Sequence, residues 1–260
     1  VITANVMPQF NKLNIEPARD AIRQLFISRI IEAKGLNILQ SMTSYKIIPT
    51  PLAVLHACEL LSKGTKTQQG RGDLLAVDIG GATTDVYSMA SGEPTVDNTM
   101  LKGLPEPWMK RTVEGDLGMR YSLTHVYEQI PGSDNPENEY MQQVKAWVEL
   151  CTARPDTLAA PGSEEEKLEE FLGRSAVSMA VERHCGRIAD VYTPLGLMHT
   201  QEGKDLMNVP SVIGIGGVLR NSRRPEEILK GSLYDFMHPE CTKPRKPKFY
   251  LDQKYIFASM

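Results

Sequence analysis

The sequence predicts an α/β protein in which a mixed sheet is flanked by helices. Two apolar runs lie on either side of a glycine-bearing turn within residues 78–85, which predicts a pair of adjacent strands. Another apolar run begins at Ser211 and leads directly into the glycine pair Gly216 and Gly217. Between these two motifs, apolar residues recur at the spacing of amphipathic helices. Connected strands with helices packed on them form the layers of an α/β fold.

The N-terminal part of the chain is predicted to contain strands and helices in alternation. Residues 1–6 predict a strand. Glu16 and Pro17 predict a helix start, because proline favours the first helical position, and Gly35 predicts the end of that helix. The apolar face of this helix is expected to pack against the protein. Residues 47–57 predict a short strand, a proline turn and the start of a second helix.

The turn within residues 78–85 has the composition of a phosphate site. Two adjacent glycines, Gly80 and Gly81, allow positive φ and let successive backbone N–H groups point at one anion. The carboxylates of Asp78 and Asp85 could hold a hydrated Mg²⁺, which usually binds one or two carboxylates together with phosphate oxygens and water. A structural hairpin whose aspartates solvate the turn is the alternative. The candidate residues for the phosphates are Gly80, Gly81, Ala82, Thr83 and Thr84, of which the threonines would add hydroxyl donors.

Residues 100–120 mix glycine, proline, both signs of charge and a tryptophan, without a clean period. Such composition predicts an ordered loop, and ordered loops often carry function. Lys110, Arg111 and Arg120 are candidates for contact with phosphates or with a partner, and a solvated surface is the alternative.

The segment from about residue 135 to residue 190 is predicted to be mainly helical. Asn135 and Pro136 predict the start of one helix. Ser163 and Glu166 form a capping box for the next helix, in which the acidic residues after Ser163 favour the helix start. The acidic run is therefore interpreted as a helix N-terminus and not as a metal site.

Two motifs resemble those of one large superfamily. The sequence DIGGATTD at residues 78–85 resembles the second phosphate loop of the actin, sugar-kinase and heat-shock-chaperone ATPases, and SVIGIGGVLR at residues 211–220 resembles their adenosine loop. The two occur in the same order as in that superfamily. The resemblance implies a ribonuclease-H-like, actin-type ATPase domain with a helical subdomain, and Asp78 as the catalytic carboxylate. It also implies nucleotide contacts at Gly214, Gly216, Gly217 and Arg220, and raises Arg183 or Arg187 as a nucleoside contact.

The same resemblance implies a division of the chain into four parts. Residues 1–45 would be the end of a first ATPase domain and its connecting helix, and residues 46–130 the core of the second domain with its phosphate loop. Residues 131–205 would be a helical subdomain, and residues 206–260 the adenosine loop with the start of a second connecting helix. Because the other phosphate loop of such an ATPase would precede Val1, we expect the chain to be a fragment that lacks most of the first domain.

A narrower resemblance lies in LKGLPEPWMKRTVEGDLGMRYS at residues 101–122. It is similar to the accessory ATPase of adenosylcobalamin-dependent glutamate mutase, a family called MutL that is unrelated to the mismatch-repair protein of that name. The resemblance implies an ATP-dependent, chaperone-like reactivating factor for glutamate (methylaspartate) mutase, which exchanges damaged cobalamin. ATP and Mg²⁺ would be its cofactors, the mutase subunits its partners, and cobalamin would be met only through the mutase.

Composition argues against several other classes of protein. The net charge of −3 does not predict a nucleic-acid or membrane surface. The four cysteines are scattered without a CxxC pair, which fits reduced thiols in a cytoplasmic protein.

Two other functions stay open for a protein of this fold. One is a small-molecule kinase, with Asp116 as its candidate base, and the other is a hydantoinase-type ATPase. The oligomeric state is not predicted.

Overall fold

The computed structural model describes residues 1–10, 12–33, 48–194 and 196–259. The chain divides into two compact units, Val1–Ala53 and Val54–Met260. The first unit contains helix α1 (Glu16–Ala33), which starts where Glu16 and Pro17 predicted. The predicted end at Gly35 lies outside the described residues. Ile22 and Phe26 on the apolar face of α1 are 69% and 59% exposed, so the predicted packing is not made within this unit at these two positions.

The predicted strand at residues 1–6 is also absent. These residues pair with no described strand, and the side chains of Val1 and Ile2 are exposed. A strand requires a neighbour for its backbone N–H and C=O groups, which an apolar composition alone does not supply. Helix α2 (Thr50–Lys63) confirms the predicted helix start after the proline turn. The short strand predicted before it does not form at Ile48, and residue 47 lies outside the described residues.

Eight strands and five further helices are described in the second unit. The strands are β1 (Leu74–Ile79), β2 (Thr84–Met89), β3 (Thr99–Lys102), β4 (Met109–Glu114), β5 (Arg187–Thr193), β6 (Gly196–Glu202), β7 (Ser211–Ile215) and β8 (Lys248–Leu251). The helices are α3 (Leu123–Glu128), α4 (Glu139–Ala153), α5 (Glu164–His184), α6 (Gly217–Asn221) and α7 (Pro225–Leu229), with short 3-10 turns at Lys230–Ser232 and Phe257–Ser259.

The main sheet has five strands in the order β4-β2-β1-β7-β8. Strands β1 and β2 are antiparallel neighbours with Asp78 opposite Asp85, which confirms the predicted hairpin. Strand β7 runs parallel to β1, and β8 runs parallel to β7. Residues of β1 and β2 share one apolar core with α3, α4 and α5. The predicted mixed sheet with flanking helices is therefore confirmed, whereas its assignment to the actin-type fold stays a prediction.

The loop predicted at residues 100–120 is in part a strand. Strand β4 pairs antiparallel with β2, so that Arg111 lies opposite Tyr87. The charged residues of β4 suit an edge strand, where charge discourages pairing with a further chain. These charged residues interrupt the apolar pattern by which a strand is recognised in a sequence. The hydrogen bonds that define β4 come from its neighbour β2, which sequence alone does not reveal.

The predicted helical segment contains two long helices followed by a hairpin. Helix α4 begins at Glu139 with Asn138 as its N-cap, three residues after the predicted cap at Asn135. Helix α5 begins as predicted, because the Ser163 hydroxyl accepts the Glu166 N–H. The carboxylate of Glu166 accepts the N–H of Gly162 rather than that of Ser163.

The helical character predicted for residues 131–205 is wrong in its last part. Strands β5 and β6 form an antiparallel hairpin there, and β3 adds to it in parallel. Valine, isoleucine and threonine give these residues strand propensity, but their alternation is too irregular to have been recognised. The four-part division of the chain stays a prediction.

No helix in the described parts of the chain combines the length and apolar character needed to cross a bilayer. All four cysteines are buried and free.

Candidate functional site

Three parallel strands of the main sheet end at the same edge. Strand β1 leads into Gly80, β7 into Gly216 and β8 into Asp252, with Asp78 in register with Ile215 and Gly214 in register with Leu251. In open α/β sheets the crevice beyond the carboxyl ends of the strands is the usual place for a ligand. The two glycine-bearing motifs that are far apart in sequence therefore meet at one edge.

The two motifs approach each other closely at Gly216. Its φ is 101°, and a Cβ atom placed there would lie 2.4 Å from the Ile79 carbonyl oxygen and 2.8 Å from Asp78 Oδ1. No other residue type fits this backbone conformation at such distances. Glycine at position 216 is thus what lets the two strand ends come together.

The turn between β1 and β2 is fixed from one side. Within it, the Gly80 N–H donates to the Thr83 carbonyl over 2.9 Å, and the N–H groups of Arg120 and Tyr121 both donate to the Gly81 carbonyl over 2.8 Å. The N–H groups of Gly81, Ala82 and Thr83 find no acceptor within residues 1–10, 12–33, 48–194 and 196–259. Consecutive free N–H groups suit an anion.

Two features of this turn differ from what its sequence suggested. Neither Gly80 nor Gly81 has positive φ, so the turn does not use the glycines for that purpose. Thr84 is fully buried in β2, and its hydroxyl donates to the Leu117 carbonyl. It is therefore turned away from any ligand at the edge. The Thr83 hydroxyl lies 3.4 Å from Asp85 Oδ2 and remains at the turn.

Asp78 carries a carboxylate in an unfavourable place for negative charge. Burial, followed by repulsion from Asp85 and Asp252, raises the pKa of Asp78 to about 6, although Arg111 opposes the shift. No residue in the described parts of the chain donates a hydrogen bond to it. A cation next to Asp78 would relieve this electrostatic cost.

Asp85, the second predicted metal ligand, is occupied by an ion pair. Arg111 on β4 donates from Nε to Asp85 Oδ1 over 2.8 Å, and its Nη2 atom lies 2.5 Å from the same oxygen. Arg111 is therefore held by Asp85 rather than directed at a phosphate. The sequence did not single out this pair because β4 was not recognised as the neighbour of β2.

The described residues contain no cluster of three or more His, Cys, Asp or Glu that could hold a metal ion. A single carboxylate without hydrogen-bond donors fits a Mg²⁺ whose other ligands are phosphate oxygens and water. Asp78 meets that description and Asp85 does not. Asp252 is near enough to influence the pKa of Asp78, but its two oxygens accept the N–H groups of Ile256 and Phe257.

The predicted adenosine-loop residues have different surroundings. Gly214 is buried, and a Cβ atom there would lie 2.9 Å from Leu219 Cδ1, so this glycine is required for packing. Gly217 and Arg220 are at the surface, where Tyr255 lies beside both of them. Asp252 and Tyr255 were missed in the sequence, although Leu251-Asp252 repeats the strand-ending carboxylate of Val77-Asp78.

The side chains of the remaining predicted charged residues are paired, and Arg120 lies beside the turn, where its N–H donates to the Gly81 carbonyl. Lys110 donates to Glu106 and to the His184 carbonyl, and Arg120 donates to Glu169 over 2.6 Å. The candidate base Asp116 is bound by Arg183, whose hydrogen bonds lower the pKa of Asp116 to about 2.

A group with so low a pKa is a poor general base near neutral pH. Arg183 forms ion pairs with Asp116 and with Glu114, which is paired with Thr84 beside the turn, while Arg187 lies 3.8 Å from Glu240. Both arginines are thus in ion pairs, and contact of either one with a nucleoside stays a prediction.

Comparison with known proteins covers the whole chain. Residues 1–260 match the model of a family described as MutL protein. The protein named Protein MutL from Clostridium tetanomorphum is 47% identical over 262 residues, which cover 100% of this chain and 56% of that protein. The chain thus spans about half the length of the curated relative that it matches.

Proposed function

The chain belongs to the MutL protein family, and on that premise we propose that it forms the second nucleotide-binding half of an ATPase that serves glutamate mutase. The strand edge at Asp78 and Gly216 would be its part of the ATP site. The observation that carries the proposal is the contact between the two motifs, since the backbone of Gly216 lies against the carboxylate of Asp78.

Each group at the edge suits a part of the nucleotide. The free N–H groups of Gly81, Ala82 and Thr83 would bind phosphate oxygens, as would the hydroxyl of Thr83. Asp78 would hold Mg²⁺ and the attacking water. When bound, Mg²⁺ supplies neutralisation of the charge that develops on the terminal phosphate. Gly216, Gly217 and Arg220 would lie against the nucleoside.

At the level of the whole protein, we propose that ATP hydrolysis drives the exchange of damaged for intact cobalamin in glutamate mutase. Cobalamin would then be handled only while the mutase subunits are bound. The family membership supports this role. The kinase alternative has less support, because Asp116 is held in an ion pair and would not serve as a base.

The experiment is ATP turnover by the full-length protein with and without the mutase subunits. Turnover should rise when the mutase is present. Asp78→Asn should lower turnover on the order of 10²-fold or more while ATP still binds, because the lost group acts on the transition state. Asp116→Asn is the matched control, and its turnover should stay close to that of the wild type.

Two results would contradict the proposal. Wild-type turnover in the Asp78→Asn variant would show that the hairpin is only structural. A large loss in Asp116→Asn, with phosphorylation of a small molecule by the wild type, would favour the kinase instead.

A further inference from the structure

Tyr255 has an unusual backbone conformation. Among the described residues other than glycine, only Asn98 and Tyr255 have positive φ, at 55° and 52°. Asparagine enters this region readily, whereas a bulky aromatic residue does so only with strain. Such strain persists only where the surrounding structure imposes it, and it concentrates at functional sites.

The surroundings of Tyr255 show what imposes the strain. Strand β8 ends just before Asp252, and the Asp252 carboxylate accepts the N–H groups of Ile256 and Phe257 over 3.0 Å and 3.1 Å. The side chain of Phe257 is buried. The chain is therefore anchored on both sides of Tyr255, which leaves its ring at the surface.

The ring of Tyr255 lies on the predicted adenosine loop. The guanidinium carbon of Arg220 lies 4.9 Å from the ring centroid, and a Cβ atom at Gly217 would lie 3.0 Å from the tyrosine hydroxyl. Gly217 and Arg220 are three residues apart on α6, so they share one face of the helix. An aromatic ring, a planar guanidinium and a glycine backbone thus form one small surface.

We propose that Tyr255 and Arg220 form the surface on which the purine base of the nucleotide stacks. This inference rests on the proposed ATP site and adds a residue to it that neither glycine motif contains. Aromatic rings and guanidinium planes both stack on nucleic-acid bases. Tyr255 is 40% exposed as a residue, so part of its surface is open to a ligand. Gly217 adds no side chain that would hold the base away from the ring.

The test compares ATP with inorganic tripolyphosphate, which lacks the base, in calorimetry of the full-length protein. Tyr255→Gly removes the ring and suits positive φ, and Tyr255→Phe keeps the ring. Tyr255→Gly should weaken ATP binding roughly 10-fold or more and leave tripolyphosphate binding unchanged. Tyr255→Phe should bind ATP like the wild type. Tyr234→Ala is the matched control, because Tyr234 also faces an arginine, Arg245 at 5.2 Å, outside the site.

Several outcomes would overturn the stacking surface. One is wild-type ATP affinity in Tyr255→Gly, and another is an equal loss for ATP and tripolyphosphate, which would indicate general damage. A loss in Tyr255→Phe as large as in Tyr255→Gly would assign the effect to the hydroxyl. If the wild-type protein binds no ATP, the proposed function is overturned together with the stacking surface. The other three results overturn the stacking surface alone.

Discussion

At the scale of single residues, Asp78 shows the conflict between function and stability. Its carboxylate faces Asp85 across the hairpin and is also close to Asp252, without a hydrogen-bond donor in the described parts of the chain. The positive charge of Arg111 mainly neutralises Asp85, to which Arg111 donates a hydrogen bond. On the proposed function, a Mg²⁺ ion bound at Asp78 would compensate this charge.

The charge on Asp78 predicts a dependence of stability on pH. The folded-state pKa of about 6 is above the value of 3.8 for a free aspartate. The stability that this shift contributes is present below about pH 4 and is lost as the pH rises through 6. In the absence of nucleotide, Asp78→Asn should therefore exceed the wild type in stability by about 1 to 2 kcal/mol at pH 8, after discounting for screening by solvent.

Urea unfolding at pH 4 and at pH 8 measures this difference, which should vanish at the lower pH. An equal difference at both values would mean that the substitution acts through packing and not through charge.

Gly216 and Gly217 of the predicted adenosine loop should differ in their tolerance to alanine. Gly216→Ala should destabilise the protein by more than about 2 kcal/mol, since its positive φ and its closeness to the Ile79 carbonyl both exclude a Cβ atom. Gly217→Ala should cost less than about 1 kcal/mol, because its neighbour is the end of the Tyr255 side chain, which can move.

Gly115→Ala is the control for these variants, as no atom lies within 4 Å of its Cβ position. Urea midpoints of the three variants give the comparison. Equal midpoints for the alanine variants at 216 and 217 would contradict the close approach at Gly216.

A larger side chain at position 217 should affect ligand binding. Gly217→Val should weaken ATP binding by the full-length protein.

A site residue could be predicted from the sequence when its role depends on its neighbours in the chain, and not when it depends on a distant segment. Gly216 was recognisable because a glycine after a strand predicts a special backbone conformation. The partners of Thr84 and Asp85 could not be predicted, because Leu117 and Arg111 lie on a segment that was interpreted as a loop. Tyr255 had no signal at all, because its φ follows from anchors on both sides.

At the scale of elements, α5 is joined to the sheet by a buried polar group. His184 at its last residue is fully buried, with Nε2 at 2.8 Å from the Ser88 hydroxyl of β2 and Nδ1 at 2.9 Å from the Thr112 hydroxyl of β4. Lys204 donates to the same Ser88 hydroxyl over 3.3 Å. These bonds tie the helix to the two strands that position Asp85 and Arg111.

His184 predicts a loss of stability in mild acid. Burial, then the charges of Lys110 and Lys204, hold the pKa of His184 well below its usual 6.5. The unfolded chain takes up the proton first, so stability is lost as the pH falls below about 6.5. His184→Gln should remove up to about 1.4 kcal/mol per pH unit from the slope of unfolding free energy against pH in that range.

Urea unfolding between pH 5 and pH 7 gives the slope. His125→Gln, at an exposed histidine, is the matched control substitution. A slope in His184→Gln equal to that of the wild type would place the acid sensitivity on other groups.

Element boundaries were predictable where a cap or a turn marks them. Ser163 with Glu166 marked the start of α5, and Pro49 with Pro51 marked the start of α2. Strand β4 and the β5–β6 hairpin were not predicted, because their strand character comes from hydrogen bonds with distant segments. In β4 the charged residues, suited to the edge of the sheet, also obscured the pattern.

At the scale of the whole molecule, the chain covers 56% of the curated relative. By the resemblance to the actin-type ATPases, this chain contains one of the two phosphate loops that such an ATPase requires. We therefore expect the 260-residue chain alone to bind ATP far more weakly than the full-length protein and to show no measurable turnover. Each missing charge-assisted hydrogen bond costs about 1.5 to 3 kcal/mol, and every 1.4 kcal/mol is tenfold in affinity.

Calorimetry and a phosphate-release assay on the isolated chain and the full-length protein check this expectation. Micromolar ATP binding with turnover by the isolated chain would point to a complete and differently organised site within these residues.

Strand β1 lies in the middle of the five-stranded sheet, and this position determines how the candidate site is lost when the protein unfolds. Its side chains other than that of Asp78 are fully buried, and both of its edges are paired, with β2 and with β7. Amide protons in such a strand exchange with solvent deuterium only through the largest openings of the protein. The edge that carries Asp78 and Gly216 therefore has no separate melting transition. It persists until the cooperative unfolding of the sheet and disappears with it.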